Sequence, residues 1–407
     1  MNQLAARLRR GSPLLIIFLC VLVDMVGYGM VVPLLPFMVR ERSDSALLVG
    51  LLSSLYALLQ LLVAPMLGAL SDRVGRRPVL IGAVLASGGA YALLGLAASL
   101  GALPLIFLAV AIGGAAGASI PTAQAYIADS TPPAERASGM GLIGAAFGLG
   151  LMLGPASGGL LSVYGLGMPP LLAAGLALLN GLFALRFLPE SLPAERRLRT
   201  PLRPAAVARQ IAEAASVHVV RPLLLAIFLL NMAFAGLQSN FPLFSSVRFG
   251  WDPLANGVFF AFVGVCAVVT QGVLLGRLQP HLGEARLVIG GLGLMALALG
   301  ATALAPVGWL LYPLVGLMAL GTGLAVPSIT SLVSRLAGEG RQGVVMGGMQ
   351  TVLSLTLVLG PALAGLLFDA IGPVAPYLSG GLLACGALLA AVGGLGPAMH
   401  ASPSSAD

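Results

Sequence analysis

The sequence contains no lysine; all 21 of its basic residues are arginine. No site chemistry requires that choice, so it reads as a base-composition habit of the source genome and is silent about function. Charge of either sign is scarce, at 9% against 58% hydrophobic residues. Soluble domains carry roughly a quarter charged residues, and a soluble fold is excluded. Cysteine is limited to Cys20, Cys266 and Cys385, each inside an apolar run and at no ligand-like spacing, which argues against a disulfide framework or a metal site. No metal and no cofactor is expected. His218, His281 and His400 fall in polar stretches, and neither H-E-x-x-H nor G-x-S-x-G occurs. A membrane-embedded enzyme would need such a nucleophile, base or metal cluster at depth, so the chain does not read as an enzyme.

What is plentiful is apolar chain. A bilayer core of about 30 Å takes some 20 helical residues to cross, and stretches of that length recur between short polar or Gly/Pro links. Twelve spans are predicted: 14–37, 47–70, 79–98, 104–127, 139–163 and 169–188, then 222–246, 254–276, 287–305, 309–334, 344–368 and 376–396. The fold class is an all-α membrane protein with a six-helix half over 1–188, a linker over 189–219, a second six-helix half over 220–396 and a tail over 397–407. Eighteen arginines fall on the face that carries both termini, and only Arg40, Arg42 and Arg248 on the other, which predicts cytoplasmic termini. The net charge of +7 is thus a topology signal, with the lipid bilayer as partner and no nucleic acid. The stretch after Arg7, Arg9 and Arg10 is too long for a signal peptide and lacks a small-residue cleavage site, so it is expected to remain as span 1. In the linker, the Ala-rich part from Pro204 to Ala215 suits an amphipathic helix on the anionic inner leaflet, and suits a passive connection equally well.

The halves repeat. Asp24 and Asn231 are 207 residues apart, as are Gly29 and Gly236; Gly68 and Gly276 are 208 apart, as are Gly75 and Gly283. Pro121 and Pro327 differ by 206, as do Pro155 and Pro361. Chance apolar composition does not hold one offset so steadily.

Asp24 is the leading candidate for chemistry. An ionisable group inside a span costs roughly 2.5 kcal/mol or more by insertion scales, and such groups face a cavity or an ion path. Desolvation favours the neutral acid, so a proton can ride on it in one state of a cycle; a structural carboxylate bonded to a neighbouring helix is the plainer alternative. The scarce polar side chains Tyr28, Gln60, Gln124, Asn231, Gln238, Asn240, Gln271 and Gln350 join Asp24 as cavity candidates, although some could serve only to tie helices together. One acid among few hydrogen-bonding groups suits an amphiphilic or cationic molecule better than a sugar. Span 5 carries Gly150, Gly154, Pro155, Gly158 and Gly159, whose four-residue spacing opens one helix face to close packing. His281, in the second-half link, is expected to be solvated.

Between spans 2 and 3 lies Gly68-Ala69-Leu70-Ser71-Asp72-Arg73-Val74-Gly75-Arg76-Arg77-Pro78-Val79-Leu80. It resembles, at every fixed position, the G-x-L-x-D-R-x-G-R-R-x-x-L link of the major facilitator superfamily. The span 5 string resembles the G-x-x-x-G-P-x-x-G-G motif of drug:proton antiporters in that superfamily. Tyr56-Ala57-Leu58-Leu59-Gln60 with Ala64-Pro65, and Tyr126-Ile127-Ala128-Asp129, are similar to bacterial twelve-span drug exporters, including the tetracycline-efflux group. The resemblance implies a major facilitator fold of two six-helix pseudo-repeats and a gating link of Gly68, Asp72, Arg73, Gly75, Arg76 and Arg77. In it Asp72 would catch the start of span 11 in an outward-facing state and Arg76 would pair with Asp129. Two positions depart from the pattern: Val110 stands where these antiporters carry an arginine in span 4, and Ala90 precedes Tyr91 where tetracycline exporters have an aspartate. The second-half link, Gly276 to Arg286, keeps its glycines but lacks the aspartate, so its gating role is expected to be weaker.

The expectation is therefore proton-coupled export of lipophilic or cationic drugs or metabolites by alternating access. Small-molecule substrate and protons would be the partners, and a single chain in the bacterial inner membrane would suffice. An uptake carrier or facilitator is the alternative, favoured by Val110. A non-transporting receptor or scaffold is a second alternative, disfavoured because the largest polar piece is the linker.

Overall fold

The computed structural model describes residues 13–117, 120–132, 135–197, 207–338 and 340–400. Arg7, Arg9, Arg10, Arg199 and Arg203, and the end of the tail, lie outside them. Among the described residues every regular element is helical, as expected. Among the described residues eleven helical segments are long and apolar enough to cross a membrane. The first half supplies Pro13–Arg40, Ala46–Val74, Arg76–Leu100, Leu103–Ser130, Gly139–Ser162 and Met168–Phe187. The second supplies His218–Phe249, Pro253–Leu304, Gly308–Leu336, Gln342–Ala370 and Ala375–Leu395.

Pro253–Leu304 covers both predicted spans 8 and 9 in 52 residues. At 1.5 Å per residue that is about 78 Å of helix, more than twice a bilayer core. The link predicted there is not an extended loop: helix enters from both sides, and Gly283 alone leaves helical geometry, at φ 73° and ψ 160°. Its repeat mate Gly75 separates spans 2 and 3 at φ 110°. Both turns demand a residue without a side chain. Span 1 carries a 3-10 turn at Val32–Leu34, where Pro33 offers no N–H to the ladder.

The chain divides into two compact units. The first comprises Met1–Asp44, Leu55–Ala205 and Trp251–Gly264. Its core joins Ile17, Cys20 and Met25 of span 1 to Leu80 and Ile81 of span 3, Tyr126 of span 4 and Ile143 of span 5. The spacing of the span 5 glycines explains how span 1 comes so close. A side chain on Gly150 would strike Met25, one on Gly154 would meet the Gly29 backbone at 2.7 Å, and one on Gly158 would strike the Met30 carbonyl. Gly159 faces the other way, against Gly257 and Pro253.

The second unit comprises Ser45–Ser54, Ala206–Gly250 and Val265–Asp407. It thus takes in the first ten residues around the start of span 2, which pack on span 11: a side chain on Gly50 would strike the Pro361 carbonyl, and one on Gly365 the Ala46 carbonyl. The linker forms a helix at Val207–Ala215. Its apolar face is committed to protein, since Ala214 is fully buried and Gly348 of span 11 leaves no room for more than hydrogen against it. Thr351 donates to Gln210 Oε1 at 2.6 Å along the same contact. Where the sequence leaves a leaflet-bound helix and a passive connection both open, the structure has a helix docked on span 11.

Candidate functional site

Asp24 stands on span 1 and is half-buried. Helical spacing places Gly27 and Tyr28 on its face, one turn on. Ser87 of span 3 lies beside the carboxyl. The Tyr28 ring lies 5.5 Å from that of Tyr56 on span 2, tilted by 48°. The tip of Tyr91 on span 3 lies over Gly27, where an added side chain would meet the ring at 3.1 Å. Gln60, one turn beyond Tyr56, donates to the Gly117 carbonyl at 3.0 Å and ties span 2 to span 4. Below the acid, Ile17, Cys20, Val84, Ala123 and Leu188 line a narrow apolar recess.

Ser87, Tyr56 and Tyr91 are absent from the sequence-based candidates. Tyr56 was findable, because it precedes Gln60 by four residues and so shares its face. Nothing local marks Ser87. Among the described residues no group of three or more His, Cys, Asp or Glu side chains could hold a metal.

The other candidates divide. Gln124, Gln271 and Gln350 are exposed and Gln238 is half-buried. Asn231 donates to its own helix, at Ile227 O, 2.9 Å. Asn240 lies at 0% exposure, its amide nitrogen 3.1 Å from Ser239 Oγ and 3.5 Å from Pro361 O. It is enclosed between helices and lines no open surface, because span 11 covers it. Val110 is also buried, so its side chain is part of the span 4 packing.

In the gating link, helix continues through Asp72 and Arg73 to Val74 before breaking at Gly75. One guanidinium gathers the charges: Arg76 Nη1 lies 2.5 Å from Asp72 Oδ1, and Nε lies 3.2 Å from Asp129 Oδ2 on span 4. The same Nη1 donates to Ser71 Oγ at 2.6 Å. The expected Arg76–Asp129 pair is present. Asp72 is bonded to Arg76 within its own unit. Arg77 donates to Leu185 O at 2.6 Å, Arg73 is exposed, and Gly68 faces open space. Glu190, at the start of the linker, accepts from the first backbone N–H groups of span 3, at Arg76 N (2.9 Å) and Arg77 N (3.3 Å). A carboxylate there satisfies donors that the helix itself leaves unpaired and meets the positive end of its dipole.

The second-half link holds a charge pair of its own. Glu284 bonds Arg335 of span 10 and accepts from Ser331 at 2.7 Å and Gln279 at 3.1 Å. His281 is exposed, as expected. On the opposite face, Asp369 at the end of span 11 accepts from Ser45 Oγ (2.7 Å), Ala46 N (2.7 Å) and Leu47 N (3.0 Å). It caps the start of span 2 from a different helix, and the sequence carries no local sign of it.

Comparison with known proteins agrees with this architecture. The model of the Major Facilitator Superfamily matches residues 17–361 and 272–405. The class C tetracycline resistance protein of Escherichia coli is 34% identical over 366 residues, covering 89% of this chain and 91% of that protein. Multidrug resistance protein 2 of Bacillus subtilis (strain 168) is 30% identical over 359 residues, 86% of this chain and 87% of that one. Among solved structures, the human organic anion transporter MFSD10 (TETRAN) aligns at a TM-score of 0.70 and 25% identity, over 94% of this chain and 99% of its own. The relatives are transporters, not enzymes, and with the model matching both halves and these identities over most of its length, the chain belongs to the major facilitator superfamily.

Proposed function

We propose that this multi-pass membrane transporter is a proton-coupled exporter of lipophilic or cationic drugs or metabolites. In this reading it sits in a bacterial inner membrane with twelve crossings, two six-span halves (1–188 and 220–396) and cytoplasmic termini, and it works as a single chain. The observation that carries the proposal is Asp24, a half-buried carboxyl inside span 1 at the head of an apolar recess. The identity to tetracycline and multidrug resistance proteins supports the direction of transport. A single carboxylate cannot pair with a cation and hold a proton at once. Substrate would bind the charged form from the inner side, and a proton from the outer side would displace it and neutralise the site for the return. The Arg76 link would make and break its bonds as the halves alternate. Ala90 in place of an aspartate argues against tetracycline itself as the natural substrate.

Val110 supports a second reading, a facilitator without proton coupling, because its buried apolar side chain leaves span 4 without the usual arginine. Purified protein in liposomes with an imposed pH gradient and an internal pH dye separates the two. Proton release on adding tetraphenylphosphonium, present in the native chain and lost in Asp24→Asn, is expected of the exporter. Equal cation flux without a gradient, retained in Asp24→Asn, would establish the facilitator.

A further inference from the structure

We infer that Asn180, on span 6, is a positioning residue for proton exchange: its amide occupies the one backbone carbonyl to which a protonated Asp24 would otherwise bond, and so keeps the carboxyl in the recess. This deepens the exporter reading and rests on its use of Asp24 as proton carrier.

In the continuous helix Pro13–Val31 the Cys20 carbonyl accepts the Asp24 N–H, one turn on. Asn180 Nδ2 donates to the same oxygen from span 6, at 3.0 Å. A carbonyl oxygen has two lone pairs, and both are then in use. Asn180 is fixed in this contact. It is 6% exposed, and a side chain on the next residue, Gly181, would strike Leu85 of span 3, so span 6 packs closely on its neighbours.

The second half shows the arrangement without such an amide. Ile227 and Asn231 stand 207 residues beyond Cys20 and Asp24, and there Asn231 donates to Ile227 O at 2.9 Å. The residue 207 beyond Asn180 is Ala387, fully buried and without a donor. A protonated aspartic acid has the shape of asparagine and one O–H to give, so a neutral Asp24 would form the Asn231 type of bond if Cys20 O were open to it; the ionised form only accepts. That bond would favour the proton-loaded form and turn the acid back onto its own helix. With Asn180 in place, Ser87 and the recess remain as its surroundings.

Other titratable groups do not obscure a test. Cys20 and Tyr28 lie one turn to either side of Asp24, Tyr56 of span 2 touches Tyr28, and Tyr91 of span 3 covers Gly27. Ile120 and Ala123 of span 4, Gly150 of span 5 and Ala184 of span 6 add none. Thiols and phenols titrate above about pH 8, so a profile from about pH 5 to 8 reads Asp24.

Binding of tetraphenylphosphonium to detergent-purified protein, followed over that range without a gradient, is the experiment. Asn180→Leu, which is near-isosteric, and Asn180→Ala both free the carbonyl. In each, half of the cation should be displaced at a proton concentration about threefold to tenfold lower than in the native chain, the range for one neutral hydrogen bond. Thermal melts give a second reading that does not involve transport. In the Asp24→Asn background the new amide takes the vacated carbonyl, so Asn180→Leu should lower the melting temperature less there than in the native chain. A midpoint unmoved or shifted to lower pH in both variants, or an equal melting loss in both backgrounds, would overturn the inference. Cation binding that ignored pH in the native chain would sink the exporter reading, and the melts would still decide whether Asn180 positions Asp24.

Discussion

Glu284 bonds Arg335 at the positions that Arg76 and Asp129 occupy in the first half, with the signs exchanged. Glu284 follows Arg76 by 208 residues and Arg335 follows Asp129 by 206, the same offsets that relate the landmark glycines and prolines. The second-half link therefore keeps an ion pair to the next span after losing the aspartate of the first. The sequence-based expectation of a weaker gate attends to the missing residue and overlooks the surviving pair.

The reversed pair predicts a charge-swap result. Glu284→Arg places like charges together and also removes the acceptor for Ser331 and Gln279. The double variant Glu284→Arg, Arg335→Glu restores attraction. Because Arg335 is 64% exposed, solvent screening limits the pair to under about 1 kcal/mol. In thermal melts of purified protein the single variant should lose a few degrees and the double variant should recover part of the loss. A double variant no better than the single would show that the two charges do not interact.

Glycines in the two motifs should respond in opposite directions. Gly68 lies within the span 2 helix and faces open space, so Gly68→Ala exchanges a poor helix former for the best one and should gain about 0.5–1 kcal/mol. Gly154→Ala drives a methyl into the Gly29 backbone and should cost about 1–3 kcal/mol by overpacking. Gly75→Ala meets both a φ of 110° and the Glu190 carboxylate, and should cost a similar about 1–3 kcal/mol. Melting temperatures of the three variants rank them; a stabilised Gly154→Ala would mean that spans 1 and 5 do not touch as described.

Arg76 should not tolerate lysine. Its planar guanidinium reaches Asp72, Asp129 and Ser71 at once from a side chain only 12% exposed. A lysine ammonium is a single point and cannot span the two carboxylates with the same geometry. Arg76→Lys should cost about 1–3 kcal/mol, approaching the loss from Arg76→Gln. Adding Asp72→Asn to Arg76→Gln should recover stability, by removing a carboxylate left without its cation. Equal melting of Arg76→Lys and the native chain would refute this account of the link.

Much of this was legible because membrane spans impose a length and a composition, and because paired offsets survive divergence even where residues change. The Arg76–Asp129 pair was legible only through the resemblance of the link and of Tyr126-Ile127-Ala128-Asp129 to the superfamily's exporters. What escaped was everything decided by which apolar surface meets which. The amphipathic character of Val207–Ala215 fixes that one face will be covered, and both lipid and the Gly348 groove of span 11 satisfy it. Asn240 and Gln60 look alike as lone polar residues in a span, yet span 11 seals the first and the second stays half-buried beside Tyr56. Pattern gives the face of a helix; it does not give its neighbour.

Asp369 is the sharpest such case, and it predicts an asymmetry between the repeats. Span 11 sends this carboxylate to the first N–H groups of span 2, whose own N-terminus has only Ser45 to offer. The position 206 residues earlier, at the end of span 5, is Val163, and span 8 instead caps itself, with Asp252 accepting from Ala255 N at 2.7 Å. Asp369→Ala removes three acceptor contacts and a charge at a helix N-terminus, and should cost about 1–2 kcal/mol. Asp252→Ala removes a single cap and should cost about 0.5–1 kcal/mol. Val163→Asp should change stability by less than about 0.5 kcal/mol, because the donor it would serve is already taken and the site is exposed. Melting curves for the three variants decide the matter. If Val163→Asp stabilised the protein as much as Asp369→Ala destabilised it, the cap on span 8 would be as incomplete as that on span 2, and the asymmetry would be false.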